Sequence, residues 1–310
     1  NWDLANVDAP GAILGYKAGT CPSQELVDAF ETANGETVLD LGKPYLDEQH
    51  LKPNYNSSNT MYNHNDPYAN RDPRFYATVY YNGSKRYCNW STEAGKTSFE
   101  NLGQGKGSMT RTITTWDAYE DENGNIINKP EPLMGRALTG RTVTRTGYFQ
   151  RKFLHPNSGV EMRIQGARHK DYRLAEIYLN FAEAAMEANH SAEAITYVNK
   201  VRARVGMPGL PAGLTGDALR QRIHNERRVE LALEGNRYFD VRRWHKPDED
   251  LSDTDRWVTA AHITHMNDGS YKYERTTIKE RQCYTNKWLK MPVPLSEVNN
   301  MRAITGEDWQ

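Results

Sequence analysis

Little in this 310-residue sequence ties it to a bilayer, a metal or a nucleic acid. No apolar run approaches the length of a membrane-spanning helix. The three cysteines, Cys21, Cys88 and Cys283, stand far apart and form no CxxC pair. Being odd in number, they leave one thiol over whatever disulfide forms, Cys21 with Cys88 for instance. A net charge of -1 lacks the basic excess that a nucleic-acid partner demands. The histidines are scattered: only His262 and His265 lie close together, and no third metal ligand accompanies them. There is no phosphate loop and no nucleophile-base motif, so neither a cofactor nor catalysis is expected. The start has no signal-peptide pattern and opens on Asn1 rather than Met, which leads us to expect a processed chain or a fragment.

What is present is concentrated from Asn225 to Trp244, NERRVELALEGNRYFDVRRW. Leu219, Ile223 and Leu233 share a helical stripe with Glu226 and Glu230, where a packing face is ordinarily apolar. Gly235 suits the left-handed residue that closes a helix, and Asn236 suits a cap on the next. Facing carboxylates need cations, so the expectation is a buried or half-buried network joining Glu226 and Glu230 to Arg237, Arg242 and Arg243 where the two helices meet. A glycosidase using Glu226 and Glu230 is the rival reading. Arginines that hold those acids ionised oppose it, because a general acid needs a raised pKa.

Earlier segments read as punctuation and short elements. Ser23 begins a short helix carrying Leu26, Val27 and Phe30, and Asn34-Gly35 ends it. Residues 41–70 form an Asn-, Tyr- and Pro-rich loop. In Pro67-Tyr68-Ala69-Asn70-Arg71-Asp72-Pro73-Arg74-Phe75 the two arginines are available to clasp acidic neighbours. Phe75 to Tyr81 alternates like a strand, Asn82-Gly83 turns, and Lys85 to Trp90 returns antiparallel. Asp121 to Asn125 suits a hairpin turn better than a calcium loop. The sequons beginning at Asn56, Asn82 and Asn89 are taken as coincidental. From Asp171 the pattern turns helical, with a stripe of Leu174, Ile177, Tyr178, Phe181, Ala182, Ala185 and Ala188. Ser191 caps a second helix with Ile195, Val198, Val201 and Val205 inward, and Ala182 and Ala194 stand near where tetratricopeptide hairpins place small residues. Residues 215–235 and 236–245 continue the antiparallel pairs. Trp257 to Lys279 reads as irregular. Lys287 to Pro294 reads as extended, before a short helix from Glu297 to Met301.

Four of these phrases, Pro22–Phe30, Pro67–Phe75, Asn225–Trp244 and Lys287–Pro294, resemble those of the SusD/RagB family in that family's order. The resemblance implies a mostly α fold of the α-α superhelix type, with tetratricopeptide-like hairpins beside a loop-rich region containing short β-hairpins. On this chain that gives residues 1–170 as the loop-rich ligand platform and 171–310 as the helical scaffold, together the C-terminal part of one domain. It implies a non-catalytic, lipid-anchored protein of the outer-membrane surface, which delivers an oligosaccharide, or in some branches a peptide, to a SusC-like TonB-dependent transporter. Family members usually carry a stretch of comparable size before the phrase at Pro22. The bottom-up reading adds candidate sugar-stacking residues, since aromatic faces cover the apolar patches of a pyranose while amides take its hydroxyls. The first half supplies Trp90, Trp116, Tyr119, Tyr81 and Tyr62 for this role, although large aromatics are more often packing. A helical-repeat scaffold that binds a protein is the alternative.

Overall fold

The computed structural model describes residues 20–89, 108–128, 144–153, 170–245, 256–281 and 294–300. Helix α1 (Gln24–Ala29) begins at Ser23, whose carbonyl accepts the first helical N–H bonds although its side chain caps nothing. The loop after it is held by its asparagines. The Asn59 amide donates to the Thr32 hydroxyl and to the carbonyls of Glu36 and Thr37, and its oxygen accepts from the N–H groups of Met61 and Tyr62.

The strand expected from Phe75 is instead helix α2 (Pro73–Thr78). Asp72 decides this: its carboxylate accepts the N–H of Arg74 at 2.8 Å, and Pro73 occupies the first helical position, where its missing donor costs nothing. The turn at Asn82-Gly83 is present, with Gly83 at φ 87°, but it does not join a two-stranded ribbon. Strand β1 (Val79–Tyr80) pairs with β6 (Phe149–Gln150), and β2 (Lys85–Asn89) pairs with β3 (Ser108–Thr112). Trp90 lies outside the described residues.

Strands β4 (Ala118–Glu120) and β5 (Ile126–Asn128) flank the turn expected at Asp121 to Asn125. The Asp121 carboxylate accepts from the N–H groups of Asn123 and Asn125. Helices α3 (Leu174–Glu187) and α4 (Ser191–Ala203) form a hairpin, against which α5 (Gly216–Glu230) packs, and Ser191 is the first residue of α4 and not its cap, a position taken by His190. Leu179, Ala182, Ala185 and Met186 of α3 are buried there. The expected α3 stripe is therefore only half covered, with Leu174 61%, Ile177 50% and Phe181 39% exposed.

After α5 the chain turns sharply. Leu233 leaves the helical stripe with φ 64°, and Gly235, at φ 85°, occupies the cap position of α6 (Asn236–Arg243). Asn236 is thus the first residue of α6 and not its cap; its side chain donates to Glu176 of α3 at 3.0 Å.

The segment read as irregular forms the longest strands. Strand β7 (Trp257–His265) and β8 (Tyr271–Glu280) make an antiparallel hairpin, and β7 adds in parallel to β4, giving the order β5-β4-β7-β8. The turn Asn267-Asp268-Gly269-Ser270 closes it, with Gly269 at φ 84° and the Met266 N–H bonded to the Ser270 carbonyl. Helix α7 (Leu295–Asn300) ends the described chain. One core joins α1, α2 and the sheet through Val27, Phe30, Phe75, Val79, Tyr148, Val229 and Ile263. A second fills the α3–α4–α5 hairpins.

Candidate functional site: an aromatic face on the sheet

Two features could carry chemistry, and they are separate constellations. The first is the charged junction at α5. Glu226 is 1% exposed and bonds Arg74 at 2.5 Å through one oxygen and Arg202 at 2.8 Å through the other. Glu230 accepts from Arg173 at 2.5 Å, Arg204 at 2.8 Å and Arg74 at 3.0 Å. Arg74 also grips Asp72, Arg202 also grips Glu31, and Glu234 takes Arg173 and Lys152. The cations that enclose these acids, of which only Arg74 was singled out from sequence as available to clasp acids, are not the expected ones. They come from α2, α4 and the segments before α3, not from α6.

Arg243 instead pairs with Glu183 and Asp240, Arg242 lies 3.5 Å over the Tyr238 ring, and Arg237 lies over Trp244. The reason is the bend at Leu233 to Gly235, which directs α6 toward α3. Arg71, expected to clasp acids, donates to the carbonyls of Pro67, Val27 and Phe30.

Burial alone would raise the Glu230 pKa, yet the guanidiniums of Arg173 and Arg74 outweigh it and hold it down to about 2. Glu234 is lowered in the same way by Arg173 and Lys152. Glu31 goes the other way: burial prevails over Arg222 and Arg202 and pushes it up, aided by the nearby charge of Glu226. A Glu230 held at about 2 is ionised at neutral pH and cannot donate a proton as a general acid.

The second feature is a run of rings along one face of the sheet. In a strand, alternate side chains share a face, so Tyr271, Tyr273 and Arg275 of β8 stand together. Strand register sets three more groups in line: Ile127 lies opposite Tyr119, Tyr119 opposite His265, and His265 opposite Tyr271. Trp116 stacks on His265 with centroids 5.2 Å apart, and Tyr271 follows at 5.1 Å from His265. Tyr273 lies 6.4 Å beyond Tyr271, and the buried Tyr68 joins it to Tyr81 at 5.3 and 4.5 Å.

Trp116, Tyr119, His265, Tyr271, Tyr273 and Tyr81 are all half-buried, seated on the core yet reaching the surface. Burial raises the Tyr273 hydroxyl to about 12, with the Asp66 charge adding to it. At the far end Arg275 holds Asp28 through two 2.7 Å bonds, and Tyr55 and Tyr62 lie nearby with centroids 5.4 Å apart. Arg71 covers the Tyr62 ring at 5.6 Å.

The face is held rigidly at its open end. Asp117 accepts the Ile263 N–H at 2.8 Å and bonds His262 at 2.9 Å, fixing β4 to β7. The Asn267 side chain donates to the Asp121 carbonyl at 2.6 Å, and its N–H donates to Glu120, so the two hairpin turns lock together.

Of the candidates from sequence, Trp116, Tyr119 and Tyr81 fall on this run and Tyr62 lies at its end. His265, Tyr271 and Tyr273 were missed. The signal that could have found them was the Asp268-Gly269 turn followed by alternating tyrosines. No group of three or more metal-binding side chains occurs among the described residues, where His262 bonds Asp117 and His265 stacks on rings. Cys21 is a free, half-buried thiol.

Comparison with known proteins agrees with this architecture. A sequence profile of the SusD family matches residues 14–307. Two SusD-like proteins of Formosa agariphila, P25 and P2, are 41% identical over 76 residues and 36% over 104. Those alignments cover 24% and 31% of this chain, and 14% and 20% of the relatives. A SusD-like protein of Bacteroides fragilis superposes with a TM-score of 0.63 at 24% identity, over 98% of this chain and 50% of that one. A SusD-like carbohydrate-binding protein of the same species gives 0.54 at 20% identity, over 94% and 50%. The chain therefore spans about half the length of these solved structures.

Proposed function

Because the chain belongs to the SusD family, we propose that it serves as a non-catalytic, glycan-binding part of a surface nutrient-uptake system, with the aromatic face as its grip. The observation that carries the reading is the rigidly held run of half-buried rings, Trp116, Tyr119, His265, Tyr271, Tyr273 and Tyr81. Such rings offer flat apolar area at little entropic cost, and the polar groups around them can orient hydroxyls. A solved relative of this fold is described as carbohydrate-binding, which favours a glycan over a peptide. In this reading the hairpins are a tetratricopeptide-like scaffold in the region after residue 170. The partner is a SusC-like TonB-dependent transporter, and the location is the outer-membrane surface by way of a lipid anchor. No helix of the described residues is long and apolar enough to cross a membrane.

Affinity electrophoresis on a panel of polysaccharides tests this. The parent is expected to be retarded by at least one glycan, and Trp116→Ala to lose most of that retardation. Trp90→Ala measures what that residue adds. A second reading, a helical-repeat scaffold that binds a protein, is favoured by the exposed Leu174, Ile177 and Phe181. It predicts no retardation on any polysaccharide.

A further inference from the structure

Resting on the glycan-binding reading, the register of the sheet narrows the shape of the ligand. Rings placed by strand register advance by the strand separation, about 4.8 Å per strand. Tyr119, His265 and Tyr271 are successive cross-strand partners on β4, β7 and β8, and Ile127, 38% exposed, extends the line onto β5. The paired positions therefore run in a line across four strands, about one strand separation apart, with the His265 and Tyr271 rings 5.1 Å from each other. An extended, ribbon-like β-linked chain also advances by nearly one such step per sugar and presents an apolar face repeatedly along its length. An α-linked helical chain curves away from a straight row after one or two contacts. The sheet adds only its own gentle twist, about 20° per strand.

We propose that the Ile127–Tyr119–His265–Tyr271 row binds an extended β-linked oligosaccharide of at least three sugars lying across the strands. Trp116 thickens the row at its centre, beside His265. The turns at Asp121 and Asn267 are bonded to each other, so the row is preformed and little is lost in ordering it.

Calorimetric titration of the full chain with β-1,4-linked gluco-, manno- and xylo-oligosaccharides of one to six units, and with α-1,4-linked malto-oligosaccharides of the same lengths, tests this. The expected result is an affinity for one β-linked series that rises at least tenfold between the disaccharide and the tetrasaccharide, then levels off. Tyr271→Ala and His265→Ala are expected to abolish that rise, and His265→Phe, which keeps a ring, to retain it. Ile127→Thr, at an exposed position, should weaken only the longer oligomers even if the ring variants fold poorly. Tightest binding to the malto-series, or saturation by a monosaccharide, overturns the ribbon-like ligand while leaving glycan binding intact. Heat from no member of either series, together with no retardation on the polysaccharide panel, overturns both.

Discussion

Glu230 shows how the junction works at the scale of one residue. Its carboxylate is 2% exposed and receives Arg74, Arg173 and Arg204, which arrive from three separate segments of the chain. Truncating one member of such a cluster leaves charges buried without partners, so Glu230→Ala is expected to lose about 3–5 kcal/mol in urea denaturation. The pH dependence follows from the depressed pKa. With a folded value of about 2 against an ordinary 4.5, the stabilisation is complete above the unfolded value and drains away as pH falls toward 2. The total for this group is about 3 kcal/mol. Urea titrations between about pH 5 and pH 2 should show a shallower loss of stability in Glu230→Gln than in the parent. The existence of the network was legible, because acids on an apolar stripe demand cations. Of those cations only Arg74 was read as available to clasp acids, and its meeting with Glu226, 152 residues away in sequence, is made by tertiary packing.

Among the elements, the β7–β8 hairpin is the most informative departure from the sequence reading. Its strands carry Thr, His and charged residues in an alternation interrupted by a bulge between Val258 and Thr259, which weakens the apolar period of a strand. Helix α2 was misread for the opposite reason: Phe75 to Tyr81 mimics alternation, while the Asp72-Pro73 start signal, which is local and strong, settles the helix. Helices α3 to α5 were legible because their period extends over several turns. Gly147 ties the sheet to the segment entering β6. It adopts φ 81°, and a Cβ there would lie 2.8 Å from the Ala261 carbonyl oxygen of β7. Backbone must move to admit it, so Gly147→Ala is expected to cost about 1–3 kcal/mol in thermal or urea unfolding. An unchanged stability would mean that the contact with β7 yields freely.

On the scale of the whole molecule, the charged junction and the aromatic face are separate constellations, and the proposed function gives them separate tasks. The junction joins α2, α4, α5 and the entry to α3 into one block, and Glu226 and Glu230 are enclosed by guanidiniums within it. The sheet rests on the same core through Phe75, Tyr148 and Ile263, which gives its rings a rigid base. Trp116, Tyr119 and Tyr81 could be picked as candidates for the proposed glycan platform from residue type and loop context. That rings of β7 and β8 would lie beside them could not, because the β7 partner of Tyr119, His265, lies 146 residues away in sequence and meets it through a parallel pairing.

The most direct test of this division is a single comparison, made on a polysaccharide that retards the parent: glycan affinity and reducing-sugar release for the parent, Glu226→Gln and Tyr271→Ala. The account predicts no sugar release from any of the three, near-parental affinity in folded Glu226→Gln, and affinity reduced at least tenfold in Tyr271→Ala. Release by the parent that disappears in Glu226→Gln, or full affinity in Tyr271→Ala, would contradict it.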